Sequence, residues 1–377
     1  MNVLIYISIL LQLVYTTLIL YYKRGWQLLK IFRFDKEYSP KTKVSIIIPA
    51  RNEENEIGKL LNDIISQYYP SELMEVIVVN DHSEDKTEQI VKSFKGVNCI
   101  TLKNEISNQF IQAYKKKAIE IGISKSTGTL IITTDADCSM EPYWLLSIVS
   151  FYERFKPKLI AAPVAYSNTS SWFEQFQSLD FLTMQGITGA MSYWRSGTMC
   201  NGANLAYEKE AFDAVNGFKH IDHIASGDDM LLMNKIETQF PNQTHYLKCK
   251  ASIVRTKPTD TLSAFFNQRI RWASKAAYFK DKRILSVLVF IFLYNLLFLL
   301  LFLFSFINPK YVVFLFTILA IKTIVEGFFI SPLLSFFNDK KSLFILFFLQ
   351  FLHIPYILIS GFLGRFGKYT WKGRKVQ

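Results

Sequence analysis

Thr129-Leu130-Ile131-Ile132-Thr133-Thr134-Asp135-Ala136-Asp137 is the stretch on which the reading of this chain turns. Residues Thr129 to Thr134 read as a buried strand, and two carboxylates one residue apart stand where that strand leaves its sheet. Ligands of open α/β sheets bind at the carboxyl ends of the strands. Paired carboxylates there suit a hard divalent cation, Mg²⁺ or Mn²⁺, which in turn neutralises a diphosphate. Asp is also common in turns. Asp-x-Asp alone therefore leaves a strand-ending turn open, and the rest of the chain has to decide.

Strands and helices alternate ahead of this stretch. Val44–Ile48 is a strand followed by Pro49-Ala50-Arg51-Asn52-Glu53 and a helix to about Gln67. Val76–Val79 is a second strand ending at Asn80-Asp81, and Asp85 with Glu88 offers a capping box for the next helix. Asn98–Leu102 is a short third strand, and 109–123 reads as a helix carrying Lys115-Lys116-Lys117. The order βαβαβαβ predicts a mostly parallel, doubly wound sheet flanked by helices. Strands one, two and four thus end in polar or acidic residues at one edge: Arg51, Asn52 and Glu53; Asp81; Asp135 and Asp137. No Gly-x-Gly-x-x-Gly and no Walker-type loop follows the first strand, which excludes the usual glycine cradles for a dinucleotide or a triphosphate. A nucleotide held by carboxylates and a metal fits a nucleotide-sugar site better.

The segments Val44 to Glu54, Val79-Asn80-Asp81-His82-Ser83 and Asp135-Ala136-Asp137 resemble those of the inverting family 2 glycosyltransferases, whose catalytic domain has the GT-A fold. The resemblance covers about residues 42–275. It implies that Pro49, Ala50, Arg51, Asn52, Glu53, Asp81, Lys117, Asp135 and Ala136 bind the nucleotide sugar, usually a uridine one, and that Asp137 with Asp135 holds the metal. Cys200-Asn201-Gly202-Ala203-Asn204-Leu205-Ala206 looks like the family's acceptor-side segment, or else a glycine turn entering a strand. Ser226-Gly227-Asp228-Asp229 opens an amphipathic helix. Two acids there make a good cap by electrostatics alone; the resemblance makes Asp229 the catalytic base, with Asp228 beside it. Gln268-Arg269-Ile270-Arg271-Trp272 matches the Gln-x-x-Arg-Trp motif. It implies catalytic roles for Gln268, Arg271 and Trp272, while Arg269 fills a variable position. The same stretch reads as a basic amphipathic helix with Phe265, Phe266 and Trp272 at a membrane interface.

Half of the 377 residues are hydrophobic and the apolar excess is uneven. Residues 1–22, 284–307 and 342–364 carry no charge, and 311–338 only Lys322 and Glu326. Each is long enough for a bilayer, which takes roughly 20 residues. The expected organisation is an N-terminal anchor (1–22), a catalytic domain (42–260), an amphipathic interface helix (261–283), about three membrane helices (284–364) and a basic tail (365–377). No basic n-region or cleavage site marks 1–22 as a signal peptide, so it reads as an anchor. Lys23, Arg24, Lys30, Arg33 and Lys36 then place the central domain in the cytoplasm by the positive-inside rule, at a bacterial inner membrane. Three full crossings would strand the basic tail outside. A split at Lys322/Glu326 or at His353-Ile354-Pro355 would relieve this.

The formal charge of +12 clusters near the apolar segments and points to an anionic lipid surface rather than nucleic acid. Cys99, Cys138, Cys200 and Cys249 lack metal-site spacing and read as free thiols; His220 and His223 read as an exposed loop. The function expected is inverting transfer from a nucleotide-diphospho-sugar to a membrane lipid or lipid-linked acceptor. A processive polysaccharide synthase is the alternative, and an inactive membrane scaffold the second.

Overall fold

The computed structural model describes residues 2–105, 113–167, 169–196, 199–278, 281–339, 346–366, 369–371 and 374–376. In chain order its elements are α1 (Asn2–Leu28), β1 (Val44–Ala50), α2 (Ile57–Ile65), β2 (Met74–Asn80), α3 (Thr87–Ser93), β3 (Val97–Thr101), α4 (Leu102–Glu105), α5 (Tyr114–Lys125), β4 (Leu130–Thr133), β5 (Ser139–Met140) and α6 (Trp144–Phe155). There follow β6 (Leu159–Ala161), β7 (Val164–Tyr166), α7 (Trp172–Trp194), β8 (Leu205–Glu208), α8 (Lys209–Ala214), α9 (Met230–Gln239), β9 (Thr244–Tyr246) and β10 (Val254–Thr256). The chain closes with α10 (Leu262–Ser274), α11 (Lys282–Ser305), α12 (Lys310–Phe337), α13 (Leu346–Phe366), β11 (Tyr369–Trp371) and β12 (Arg374–Val376). These form two compact units: Lys30–Asn168 with Thr198–Lys257, and Met1–Leu29 with Thr169–Gly197 and Pro258–Gln377.

The first unit is built on a seven-stranded sheet of order β3-β2-β1-β4-β8-β6-β9. β1 lies parallel to both β2 and β4, so Ile46 is flanked by Val76 and Ile132. The sheet is mostly parallel, as expected; β8 runs antiparallel to β4 and β6. Every residue of β4 is buried. A strand covered on both faces has no polar side to present, which is why Leu130–Ile132 is continuous rather than alternating. A smaller sheet, β5-β10-β7, adjoins it. Residues 30–41, left outside the expected 42–260 span, are tied to this unit. Glu153 accepts the Lys41 and Thr42 amides at 2.8 and 2.7 Å and the Tyr38 hydroxyl. Asp85 and Glu88 do not form the expected capping box. Asp85 accepts from the Thr87 amide at 3.0 Å, while Glu88 is drawn away by Asn80, Lys92 and Thr101. The helix expected over 109–123 is α5 from Tyr114; its first residues lie outside those described.

The second unit gathers the apolar helices. Among the described residues, four helices are long and apolar enough to cross a membrane: within α1, α11, α12 and α13. The outward faces of α1, α12 and α13 carry Val3, Val313 and Phe348, each more than two thirds exposed, as suits a lipid-facing surface. α1 outruns the expected 1–22 span and continues through Lys23 and Arg24. Neither proposed break is present. α12 passes Lys322 and Glu326, and α13 passes Pro355, as single helices. Lys322 and Glu326 pair at 2.6 Å, and Gln350 and Tyr15 complete that buried polar knot by hydrogen bonds to Glu326. Groups so joined need no break in the helix to reach water. α7 interrupts the expected 42–260 domain by clustering here. It starts at a Ser171–Glu174 capping box.

Candidate active site

The loops that leave β1 and β2 are laced together by short polar bonds. Asp81 N donates to Ala50 O at 2.8 Å, and the Arg51 guanidinium reaches the carbonyls of Asp81 and His82 at 3.1 and 3.2 Å. Asn52 accepts the Glu84 amide at 2.9 Å and gives its own amide to Ser83 Oγ. Asn52 and His82 both take left-handed φ, 52° and 54°, which these contacts stabilise. The segment Pro49–Glu53 and Asp81, separate in sequence, are thus one surface at the carboxyl end of the sheet. The Asp81 carboxylate is buried and contacts His82 Nδ1 at 2.9 Å.

Asp135, Ala136 and Asp137 follow β4 at the same edge. The Cys138 amide closes a turn onto Asp135 O at 3.2 Å, which confirms the turn without removing the carboxylates from the site. Thr256 Oγ1 lies 3.3 Å from Asp137 Oδ2. Burial and the flanking carboxylates of Asp137 and Asp135 push the Cys138 thiol well above its ordinary pKa, so that sulfur stays protonated.

The acidic pair 228–229 arrives from the far part of the unit. Asp229 caps α9, its carboxylate accepting the Met230 amide at 2.7 Å. The cap and the proposed base are therefore the same residue, and neither reading excludes the other. Gly227 precedes them at φ 82°, where a Cβ would also stand 2.8 Å from the Leu231 side chain. Gly202, in the turn entering β8, has no room for a Cβ either: it would lie 2.9 Å from Asp228 Oδ2. The segment 200–206 is that turn. Its Asn204 is buried and fully engaged with Pro163 O, Ser252 O and Trp144 Nε1, a packing role.

Three consecutive lysines on α5 separate sharply. Lys115 Nζ lies 2.7 Å from Asp135 and 3.0 Å from Asp228. Burial opposes its charge, but the Asp135 and Asp228 carboxylates outweigh that and lift its pKa above the usual lysine value. Lys116 is buried and donates to the carbonyls of Ile221, Ile224 and Ser226 at 2.6, 2.6 and 2.9 Å. Lys117, the residue expected at the nucleotide, pairs instead with Glu120 at 2.8 Å on the helix surface. The reach belongs to Lys115. A lysine run without a fixed helix start does not reveal which member faces the sheet edge.

Among the described residues no group of three or more His, Cys, Asp or Glu side chains forms a ready metal cage. Mg²⁺ and Mn²⁺ are commonly held by one or two carboxylates plus substrate phosphates. Asp135 and Asp137 fit a cation that arrives with a diphosphate.

Gln268, Arg271 and Trp272 lie on α10 in the second unit, all half-buried. Phe265, expected at an interface, is buried against Phe173, Phe176 and Tyr356. Arg269, at the variable position of the motif, is buried too. Its guanidinium stacks 4.2 Å from the Trp272 ring and pairs with Asp180 of α7 at 2.7 Å. None of the four cysteines, all of them among the described residues, forms a disulfide.

The family model described as glycosyl transferase family 2 matches residues 45–215. A probable glycosyltransferase, YdaM, of Bacillus subtilis is 26% identical over 68% of this chain and 63% of its own length. A 4,4'-diaponeurosporenoate glycosyltransferase of Staphylococcus aureus is 27% identical over 52% of this chain and 54% of its own. The chain thus spans less than two thirds of these curated relatives. A mannosyltransferase structure from Pyrobaculum calidifontis, in complex with GDP-Man and Mn²⁺, superposes with a TM-score of 0.58. It covers 96% of this chain and 98% of that one at 16% identity, a likeness of fold. Family model, relatives and fold agree on a glycosyl transferase family 2 domain over residues 45–215, with a fold of GT-A type.

Proposed function

We propose that this chain transfers a sugar, with inversion, from a nucleotide-diphospho-sugar to a membrane lipid or lipid-linked acceptor. The observation that carries the reading is the ammonium of Lys115 touching both Asp135 and Asp228. It brings the Asp-x-Asp turn and the acidic pair of α9 into one site, donor carboxylates on one side and proton acceptor on the other.

An acceptor hydroxyl is a weak nucleophile and attacks opposite the leaving diphosphate. Asp229 takes its proton as the bond forms, a contribution of typically ~10²–10⁴-fold. Inversion in one displacement requires no covalent glycosyl-enzyme. Asp135 and Asp137 would hold Mg²⁺ or Mn²⁺, which supplies Lewis-acid stabilisation of the leaving group. Asp81, buried at the end of β2, accepts a hydrogen bond from the nucleotide base, and the laced loop Pro49–Glu53 frames it. Gln268, Arg271 and Trp272 keep the roles that the resemblance implies.

The resemblance points to uridine, whereas the Pyrobaculum relative is in complex with GDP-Man and Mn²⁺. Both bases belong in the test. The four apolar helices and a relative named for 4,4'-diaponeurosporenoate support a lipid acceptor. They also support a catalytic unit at a membrane, with the cytoplasmic face of a bacterial inner membrane as the side that the basic residues after α1 favour.

Membranes bearing the chain are to be incubated with labelled UDP- and GDP-sugars, with and without chelator. Metal-dependent label in solvent-extractable lipid is expected. Label in high-molecular-weight polymer would make the chain a processive synthase instead, and label in neither, with any donor and metal, would leave the scaffold reading.

A further inference from the structure

The first turn of α5 holds both halves of the site. Lys115 bridges Asp135, at the end of β4, and Asp228, ahead of α9; these three side chains are 18%, 35% and 10% exposed. Lys116 anchors the backbone that leads to Asp228 through three carbonyls. Building on the function proposed above, we propose that Lys115 is a positioning residue that occupies Asp135 in place of the metal and yields it when the donor binds.

Asp135 is a candidate ligand of the divalent cation and already accepts an ammonium at 2.7 Å. A dication on the same carboxylate would stand within a few ångströms of that ammonium, and the two repel. Lys has a flexible four-carbon stem and a compact charge, so it can turn away. It does not become an unpaired buried charge when it does, because Asp228 at 3.0 Å still holds it. The released ammonium then lies toward Asp228 and the incoming diphosphate. Asp228 adjoins Asp229, so occupancy of the donor side changes the field at the proton acceptor. Lys115 would thereby keep the carboxylates from repelling one another before the donor arrives, and link donor binding to the base afterwards.

The test uses the full-length chain in detergent, with Mn²⁺ alone as the first probe, followed by spin resonance of the free ion. A charge within ~4–6 Å moves a carboxylate by ~1–3 pKa units, so removing the competitor should tighten Mn²⁺ binding roughly tenfold or more. Lys115→Met is expected to show this tightening together with a fall in kcat that exceeds any change in donor KM. Lys115→Arg, which keeps the charge, is expected to bind Mn²⁺ as the unmodified chain does. If Lys115→Met does not fold, Lys115→Gln carries the same expectation. A Lys115→Met or Lys115→Gln variant that folds and binds Mn²⁺ no tighter overturns the inference, provided that the unmodified chain binds a nucleotide sugar. An unmodified chain that binds no nucleotide sugar in the presence of Mn²⁺ overturns the function beneath it.

Discussion

Arg269 and Asp180 meet at 2.7 Å with side chains 3% and 6% exposed, an ion pair that fixes the rotation of α10 against α7. Tyr356 of α13 adds its hydroxyl to the same carboxylate. Breaking a buried pair by removing one partner costs about 3–5 kcal/mol, since the other charge is left uncompensated. Asp180→Ala should therefore lower the thermal midpoint of the detergent-solubilised chain markedly. The double variant Asp180→Leu with Arg269→Met should recover most of it. A single variant as stable as the unmodified chain would remove the pair from any structural role.

Gly227 offers a second test of local geometry. Left-handed backbone costs an L-residue roughly 1–2 kcal/mol, and a Cβ there would also press on Leu231. Gly227→Ala should displace Asp228 and Asp229 and reduce kcat well beyond its modest loss of stability. Unchanged turnover would show that the acidic pair tolerates movement.

Lys248 gives a pH dependence with a definite sign. Burial lowers its pKa to about 8, below the ordinary lysine value of ~10.4. Above about pH 8 the unfolded chain binds this proton more than the folded chain does, so stability contributed by this group rises with pH between those values and is absent below them. The unfolding midpoint of the unmodified chain should therefore gain on that of Lys248→Met as pH rises past the folded pKa: the variant is the more stable at pH 7, and the gap narrows toward pH 9.5. A gap that is constant or widens would contradict the assignment.

The catalytic sheet was legible because parallel strands buried on both faces leave continuous apolar runs, and because their ends change abruptly to Asp81 and Asp135. The side chains that link those ends were not. Lys115 and Lys117 are indistinguishable in a run of three lysines until the start of α5 is known. Arg269 fills a variable position of its motif, and its partner, Asp180, lies on α7, far away in sequence. Lys322 and Glu326, by contrast, share a helix, and their i, i+4 spacing predicts the pair that forms. Contacts within one element are readable from periodicity; contacts between elements wait for the fold.

The most direct measurement is turnover of Asp229→Asn beside its affinity for the nucleotide sugar. Asn caps a helix about as well as Asp, so α9 keeps its start while the proposed proton acceptor is lost. Donor affinity close to that of the unmodified chain with transfer reduced by ~10²-fold or more is the expected result. Near-normal turnover would contradict the assignment of Asp229 as the base.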